Sequence, residues 1–499
     1  MLFSSKVVAV HIVALVLTTI VYRLSPFHPL WRFPGPVINR ITSLYNAYKT
    51  YTGERHLYVD ELHRRYGRIV RIGPDALSIN SFSAVSQVYS STNAMTKGRA
   101  YTYGGAHGSG LFFMKSRAEH SKRRKIWAPA FAQSNLPTFR QAIHRRTFQL
   151  MQVIQERCDT RGVVNLGEAI GHWTYDIMGD VTFGASSQVE LLENGDSEGL
   201  IRSGQLATTA FEIIGEVPLL FSILWYFPVT KKMRALEERA GRWMTARQNA
   251  PDQDKQNDIA SFLLVKDGSK PKLTHADLRV DSLFAIQAGS DTPAGVLTLM
   301  FFFLIKDSQV YDALRNELDM AFPDATVPLN MHALGQLEYL SAFMTESLRL
   351  GAPFHGFPRI TPNEGAFLDE WFVPGGITVS VPGWSQHIDE DNFYPEPLAF
   401  RPQRWLPGGL GTGSRANKAA IMAFSSGPYS CLGKQFAMEE ITISLVRIVL
   451  TYDLEFAPEF DADSFYAGAL NVRTPVFKRP LNVVAKRRCA QPGEAQRYI

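Results

Sequence analysis

Phe424-Ser425-Ser426-Gly427-Pro428-Tyr429-Ser430-Cys431-Leu432-Gly433 sets a single cysteine in a glycine-pinched loop. Gly427, Pro428 and Gly433 predict a tight turn whose backbone lets a flat group come close. From Lys434 the apolar residues Phe436, Ile441, Leu445, Ile448 and Val449 recur at near-helical spacing, so a helix begins just past the cysteine. Cys431 therefore lies where free backbone N–H groups and the positive end of a helix dipole favour a thiolate over a thiol. A thiolate held this way is a strong ligand for iron. A buried structural cysteine is the plainer alternative, and the rest of the chain decides between the two.

Upstream, Thr274-x-x-Asp277 reads as a capping box that opens a long apolar helix running to Phe301-Phe302-Phe303-Leu304-Ile305. In its middle stands Ala288-Gly289-Ser290-Asp291-Thr292-Pro293. Polar groups in a buried helix are expensive without a partner or a purpose. Pro293 lacks an N–H, so the Gly289 carbonyl loses its helical partner and a distortion is expected there. Gly289 is expected to leave room for a ligand, although a simple core kink explains the segment equally well. Leu337, Leu340, Met344 and Leu348 form the stripe of another helix, ended by Gly351-Ala352-Pro353. Glu346 and Arg349 share a face of it. An exposed pair of that kind contributes only a few tenths of a kcal/mol.

The cysteine loop resembles the haem-ligand signature of the cytochrome P-450 family, F-x-x-G-x-R-x-C-x-G, through Phe424, Gly427, Cys431 and Gly433. It departs at Tyr429, where the family carries Arg or His toward a haem propionate. The segment ending in Asp291-Thr292 resembles the family's A/G-G-x-D/E-T motif. Glu346 and Arg349 resemble its ExxR pair, with Arg404 in Phe400-Arg401-Pro402-Gln403-Arg404-Trp405 as the third member. The resemblance runs from about Trp31 to the C-terminus and implies one large catalytic domain, mainly α with a small β-rich lobe. It implies haem b with Cys431 as the iron ligand, contacted by Phe424, Gly427 and Gly433. His120, Arg124 and Arg359 would bind the propionates, and Glu346, Arg349 and Arg404 would hold the ligand loop. Thr292 would be the oxygen-activating hydroxyl and Asp291 the proton supplier, a division that proton delivery requires.

Hydrophobic residues make up 45% of the chain and aromatic ones 12%, enough for a sizeable core with an apolar cavity. A chain of 499 residues suggests about three domains on length alone, but no linker or internal repeat divides this one. The three cysteines, Cys158, Cys431 and Cys489, are too few and too scattered for a disulfide framework. A net charge of +5 without a long Lys/Arg tract gives no reason to expect a nucleic-acid partner. The run Lys122-Arg123-Arg124-Lys125 reads by itself as a solvated helix face, and the family resemblance implies that part of it is a docking face for an acidic electron donor.

Val7 to Tyr22 is apolar, extended by Leu2 and Phe3 beyond Lys6, and no small-x-small cleavage site follows it. Arg23, Arg32 and Arg40 outweigh Lys6, which keeps the C-terminal side cytosolic. Residues 1–23 are therefore expected to be a membrane anchor, 24–36 a stiff proline-rich spacer, and 37–499 the catalytic domain. Leu219 to Val229, Gly104 to Gly110, Leu111-Phe112-Phe113 and Phe354 are candidates for a substrate mouth and pocket. Asn249 to Asp258 reads as an exposed loop, and Trp371 to Val381 as two short strands around a turn.

The resemblance thus implies a haem-thiolate monooxygenase of the endoplasmic reticulum membrane, similar to filamentous-fungal members of secondary metabolism. Its substrate would be a hydrophobic small molecule. NADPH and flavins would act only through a separate NADPH-cytochrome P-450 reductase, with cytochrome b5 as an accessory donor, since no glycine fingerprint for a dinucleotide is evident. A haem-thiolate isomerase or dehydratase and a non-catalytic haem sensor are the alternatives. Neither requires the Asp291-Thr292 step.

Overall fold

The computed structural model describes residues 2–90, 95–101, 110–217, 231–250, 257–267, 270–351, 356–471 and 474–488. The site rests on helices α1 (Leu2–Leu24), α2 (Arg117–Trp127), α3 (Leu136–Arg157), α4 (Leu166–Phe183), α5 (Leu200–Glu216), α6 (His275–Lys306), α7 (Glu338–Gly351) and α8 (Lys434–Thr451). The capping box forms at the start of α6: Thr274 Oγ1 accepts from the Asp277 N–H at 3.1 Å, and the Asp277 carboxylate accepts from the Thr274 N–H at 3.2 Å. Its 32 residues span about 48 Å and form the axis of the helical body. The helix stays helical through Pro293, so the expected distortion does not interrupt it.

α4 packs along α6 most extensively and is buried over nearly its whole length. Two glycines permit this approach. A Cβ on Gly289 would lie 2.5 Å from Met178 Sδ of α4, and one on Gly167 would lie 3.4 Å from Thr298 Cγ2 of α6. Gly289 thus makes room for a neighbouring helix, and its backbone also lines the cavity between α6 and the cysteine loop. The core continues through α3, α7 and α8, with Trp173, Leu297, Phe301, Phe343 and Leu445 fully enclosed or nearly so.

The β-rich lobe is built on a sheet of β1 (Ile69–Gly73), β2 (Ala76–Ile79), β3 (Thr96–Lys97), β5 (Arg359–Ile360) and β6 (Thr378–Ser380), ordered β1-β2-β6-β5-β3. A second sheet orders β7 (Tyr452–Phe456), β8 (Asn482–Arg487) and β4 (Val163–Asn165) as β7-β8-β4. Trp371–Val373 and Thr378–Ser380 are both strands, but they do not pair with each other. The first pairs with Ala366–Leu368; the second, β6, enters the five-stranded sheet.

The segment read as a stiff spacer is part of the lobe. Leu30 and Phe33 are buried in its core beside Leu77 and Val379. Arg71 Nη1 donates to the Arg23 carbonyl at 3.2 Å, at the end of α1, and the Arg71 N–H donates to the Pro34 carbonyl at 2.7 Å. Apolar side chains at Leu30 and Phe33 outweigh the extended preference of the surrounding prolines. Ser5–Leu24 of α1 is long and apolar enough to cross a membrane, with mean hydropathy 2.2 and none of it buried against the body. α6 is also apolar enough, but it is mostly buried in the body.

Candidate active site

A cavity of about 300 Å³ lies between α6 and the cysteine loop. Ala288, Gly289 and Thr292 form one wall, and Phe424, Cys431 and Gly433 form the other. The loop is shaped by local bonds: the Cys431 N–H donates to the Phe424 carbonyl at 2.9 Å and the Ser430 N–H to the Gly427 carbonyl at 3.0 Å. Gly427 has φ +68°, and a Cβ there would stand 2.0 Å from the Tyr89 carbonyl oxygen. The close approach Gly427 permits is to the protein's own backbone. Gly433, by contrast, is open, with the Phe131 ring at 3.6 Å as the nearest atom to a built Cβ.

Cys431 is exposed, but toward the cavity it lines. Burial pushes its thiol up, against the Gly433 N–H, Arg124 and Lys434, which favour the thiolate. The helix start favours the thiolate as the sequence predicts, and burial opposes it. A coordinated metal deprotonates such a thiol outright.

Basic groups converge at one edge of the cavity. His120 and Arg124 come from α2, Lys97 from β3 and Arg359 from β5. Arg124 Nη1 donates to the Ser430 carbonyl at 2.8 Å, which ties α2 to the cysteine loop. Arg359 donates to Tyr101 Oη at 3.3 Å, while its buried Nε has no partner. Lys97 Nζ donates to the carbonyls of Leu111 and Phe112 at 3.2 and 2.6 Å. Among the described residues, neither Arg124, Arg359 nor His120 forms a salt bridge. Burial first, then Lys97, Arg124 and Arg359, pushes His120 down to about 3.

Tyr429 sits among them. Lys97 Nζ and the Arg359 guanidinium each lie 5.0 Å from its ring centroid, the His120 ring centroid lies at 4.6 Å, and its buried hydroxyl has no hydrogen-bond partner. The ring's negative face screens cations that would otherwise repel one another. A sulfur on one wall of an apolar cavity and an edge of basic groups fit a metal macrocycle carrying two carboxylates. Lys97 was missed in the sequence because a lone lysine in a two-residue strand carries no local pattern.

Asp291 and Thr292 of α6 face different ways. Thr292 lines the cavity, with its hydroxyl donating to the Ala288 carbonyl at 2.6 Å. The Asp291 carboxyl turns away from it, and Tyr175 of α4 donates to Oδ1 at 2.8 Å. Burial raises Asp291 to about 7, with the Tyr175 hydrogen bond first and then the nearby Gln287 amide pulling it back down.

The family model for Cytochrome P450 matches residues 34–476. The chain belongs to the cytochrome P-450 family. It is 30% identical to tryprostatin B 6-hydroxylase of Aspergillus fumigatus, over 95% of this chain and 85% of that protein. It is 30% identical to the cytochrome P450 monooxygenase BipB of Cochliobolus sativus, over 87% of this chain and 88% of that one. With hepC of Aspergillus oryzae, also named a cytochrome P450 monooxygenase, it shares 29% over 86% and 88%. The mainly helical fold with a β lobe and the monooxygenase class are thereby established, as is a haem held through a cysteine thiolate.

In this P-450 the ExxR pair is fully buried. Arg349 donates to both Glu346 oxygens at 2.8 and 2.7 Å. Arg404 Nε stands 3.5 Å from Glu346 Oε1, Trp405 Nε1 donates to Oε2 at 2.9 Å, and the Arg401 N–H donates to Oε1 at 2.9 Å. Arg349 also reaches the His387, Pro397 and Ala399 carbonyls, and Arg404 those of Pro395 and Glu396. The motif therefore staples α7 to the meander before the cysteine loop. Trp405 and the ring of carbonyls were not legible in the ExxR pattern.

The basic run on α2 divides. Arg123 turns inward to Asp277 and Asp281 at 3.0 and 2.6 Å, where Trp127 Nε1 also donates to Asp281 at 3.3 Å. Arg124 serves the cysteine loop, and Lys122 and Lys125 are exposed. Leu111, Phe112 and Phe113 line the cavity as expected. Leu219 to Val229, residues 104–109, Phe354 and most of the loop from Asn249 to Asp258 lie outside the described residues, as does Cys489.

Proposed function

We propose that this protein is a membrane-anchored monooxygenase that inserts one atom of O2 into an apolar intermediate of secondary metabolism. Its electrons would come from NADPH through a separate flavoprotein reductase docked beside α2, with cytochrome b5 as an accessory donor. Haem b bound through Cys431 supplies the oxygen chemistry, and its propionates would lie among Lys97, His120, Arg124 and Arg359. Phe424 and Gly433 would border the macrocycle, while Glu346, Arg349 and Arg404 hold the loop that carries its ligand. Gly427 would serve by bringing that loop against Tyr89.

The observation that carries the reading is the placement of Thr292 on the wall facing Cys431, with the acid Asp291 beside it in sequence. The Thr292 hydrogen is committed to the Ala288 carbonyl, so its lone pairs face the cavity and accept from a water there. Asp291 holds the proton behind that wall. The phenylalanines Phe112, Phe113, Phe211 and Phe284 form an aromatic cluster with centroids 4.9–6.2 Å apart, which excludes bulk water and suits an apolar substrate. α1 would lie in the endoplasmic reticulum membrane and leave the body in the cytosol.

Two measurements test this. The ferrous–CO complex should show the red-shifted Soret band of thiolate ligation, and Cys431→Ala should abolish it. Incubation with reductase, NADPH and a metabolite library under ¹⁸O2 should label the product. Product formed without oxygen would instead establish an isomerase.

A further inference from the structure

We propose that Tyr175 is a positioning residue for the acid of the proton relay: its hydroxyl holds the Asp291 carboxyl behind α6 and stabilises the carboxylate left when the proton departs. The proposal rests on the reading of Asp291 as the proton supplier, and it adds a residue that no motif contains.

Tyr175 and Asp291 meet in a closed chamber between α4, α5 and α6. The two residues are 2% and 5% exposed, and their side chains are joined by the 2.8 Å bond from Oη to Oδ1. The chamber is built to this pair. A Cβ on Gly204 of α5 would stand 2.7 Å from Tyr175 Oη and 3.5 Å from Asp291 Oδ2, so only glycine lets α5 close over them. Gln287, one turn earlier on α6, pins α5 in place by donating to the Gly204 carbonyl at 2.6 Å and to Thr208 Oγ1 at 2.7 Å.

The groups facing the carboxyl are thus Tyr175 from α4, Gly204 from α5 and Gln287 from α6, with Asp196 acting on Tyr175 from farther off. None is a cation. An ionised carboxylate here has hydrogen-bond donors alone to stabilise it, and Tyr175 is foremost among them. Oδ2 is buried and has no partner, which leaves it to carry the proton. In the transfer, the Oδ2–H bond breaks, a water that reaches Oδ2 takes the proton, and that water passes a proton on to one at Thr292. The electron pair stays on the carboxylate, whose Oδ1 remains bonded to Tyr175, and solvent later restores the proton. Removing the tyrosine hydroxyl favours the neutral acid, because a hydrogen bond to the charged form is lost.

The test uses the full-length holoenzyme and needs no organic substrate. Infrared difference spectra across pH should contain a protonated-carboxyl band that Asp291→Asn removes. In Tyr175→Phe this band should move to higher frequency and its titration midpoint should rise by about one pH unit, a tenfold shift in the proton equilibrium. Gly204→Ala pushes a methyl group against the same hydroxyl and should shift the midpoint in the same direction, which keeps the proposal testable should Tyr175→Phe fold poorly. An unchanged band and midpoint in the folded variants would overturn the positioning role.

The second arm measures peroxide released per NADPH with a purified flavoprotein reductase. Wild type should release more peroxide as pH rises through the carboxyl midpoint. Tyr175→Phe should shift that rise to higher pH, and both Asp291→Asn and the double variant should lack it. If Asp291→Asn leaves the profile unchanged, the relay reading fails even where the infrared shift holds. If only Tyr175→Phe leaves it unchanged, the relay stands and the positioning role falls.

Discussion

Lys97 and Arg359 stand directly opposite each other across the β3–β5 ladder, a register that pairs two cations. Like charges in that position destabilise a sheet. The arrangement becomes favourable once an anion lies between the strand edge and α2, where His120 and Arg124 wait.

Lys97→Met should therefore act unequally on the two forms. The apo protein should melt at nearly the same temperature, since the relieved repulsion offsets the bonds lost at the Leu111 and Phe112 carbonyls. Haem should bind more weakly by about 2 kcal/mol, the loss of one charge-assisted bond. The rate of haem transfer to an excess of apomyoglobin, set against apo-protein melting, measures both. Equal haem retention would remove Lys97 from the propionate site.

Thr292→Ala should leave haem content and the CO spectrum intact, because the hydroxyl faces the cavity without reaching the sulfur wall. Product formation should slow by about 10²-fold, the scale of a lost proton-transfer group, while NADPH is still consumed. Peroxide yield then accounts for the missing product. Full coupling would refute the role given to this hydroxyl.

Asp291 has a folded-state pKa of about 7, raised from 3.8. The folded protein therefore binds more protons than the unfolded chain between those values, and stability falls as pH rises through the interval. Asp291→Asn should be more stabilising at pH 8 than at pH 4. The difference has an upper bound of about 4 kcal/mol, from roughly three units at 1.36 kcal/mol each. Melting temperatures of both proteins across this range give the comparison, and parallel curves would contradict it.

The buried ExxR network predicts two grades of damage. Glu346→Ala strands Arg349 and Arg404 as unpaired buried cations and should cost about 3–5 kcal/mol, enough to abolish haem incorporation at 37 °C. Trp405→Phe removes one donor from Glu346 Oε2 and should cost about 1–2 kcal/mol, leaving a folded but less stable holoprotein. Chemical denaturation of Trp405→Phe and the haem content of Glu346→Ala check these.

Truncation should show a sharp boundary. Deletion through Tyr22 keeps Arg23, Leu30 and Phe33, and should release the protein from microsomes with haem still bound. Deletion through Phe33 empties two core positions of the β lobe and should cost several kcal/mol, roughly 2–5 per large apolar side chain. Haem retained equally in both would mean that the connector is the free spacer its prolines suggest.

The sequence was most legible where the chemistry is local. The cysteine loop, the capping box at Thr274, the Glu346–Arg349 face and the Asp291-Thr292 pair are each set within a few residues, although the sequence put both members of that pair on the cavity wall and only Thr292 lines it. What remained hidden joins distant positions: Tyr175 to Asp291, Arg123 to Asp281, and Lys97 to Arg359. No pattern in the neighbourhood of either partner announces such a pair. The glycines misled for a related reason. A missing Cβ shows that something comes close but not what: at Gly427 it is the protein's own backbone, and at Gly289 it is a neighbouring helix beside the cavity. At Cys431 the helix dipole could be read from the sequence, whereas the opposing burial could not.

Arg71 gives the proposed membrane attachment a definite geometry. Its guanidinium grips the last turn of α1 through the Arg23 carbonyl, while Arg23 Nη1 reaches back to the Ile41 carbonyl at 2.6 Å. Were α1 to cross a bilayer, this joint would make the body a head braced on its stalk rather than a float on a loose tether. The height of the cavity above the lipid and the compass direction of the α2 face would then follow from the joint. An electron donor confined to the same surface would meet that face at a set elevation, and its search for a docking pose would become two-dimensional.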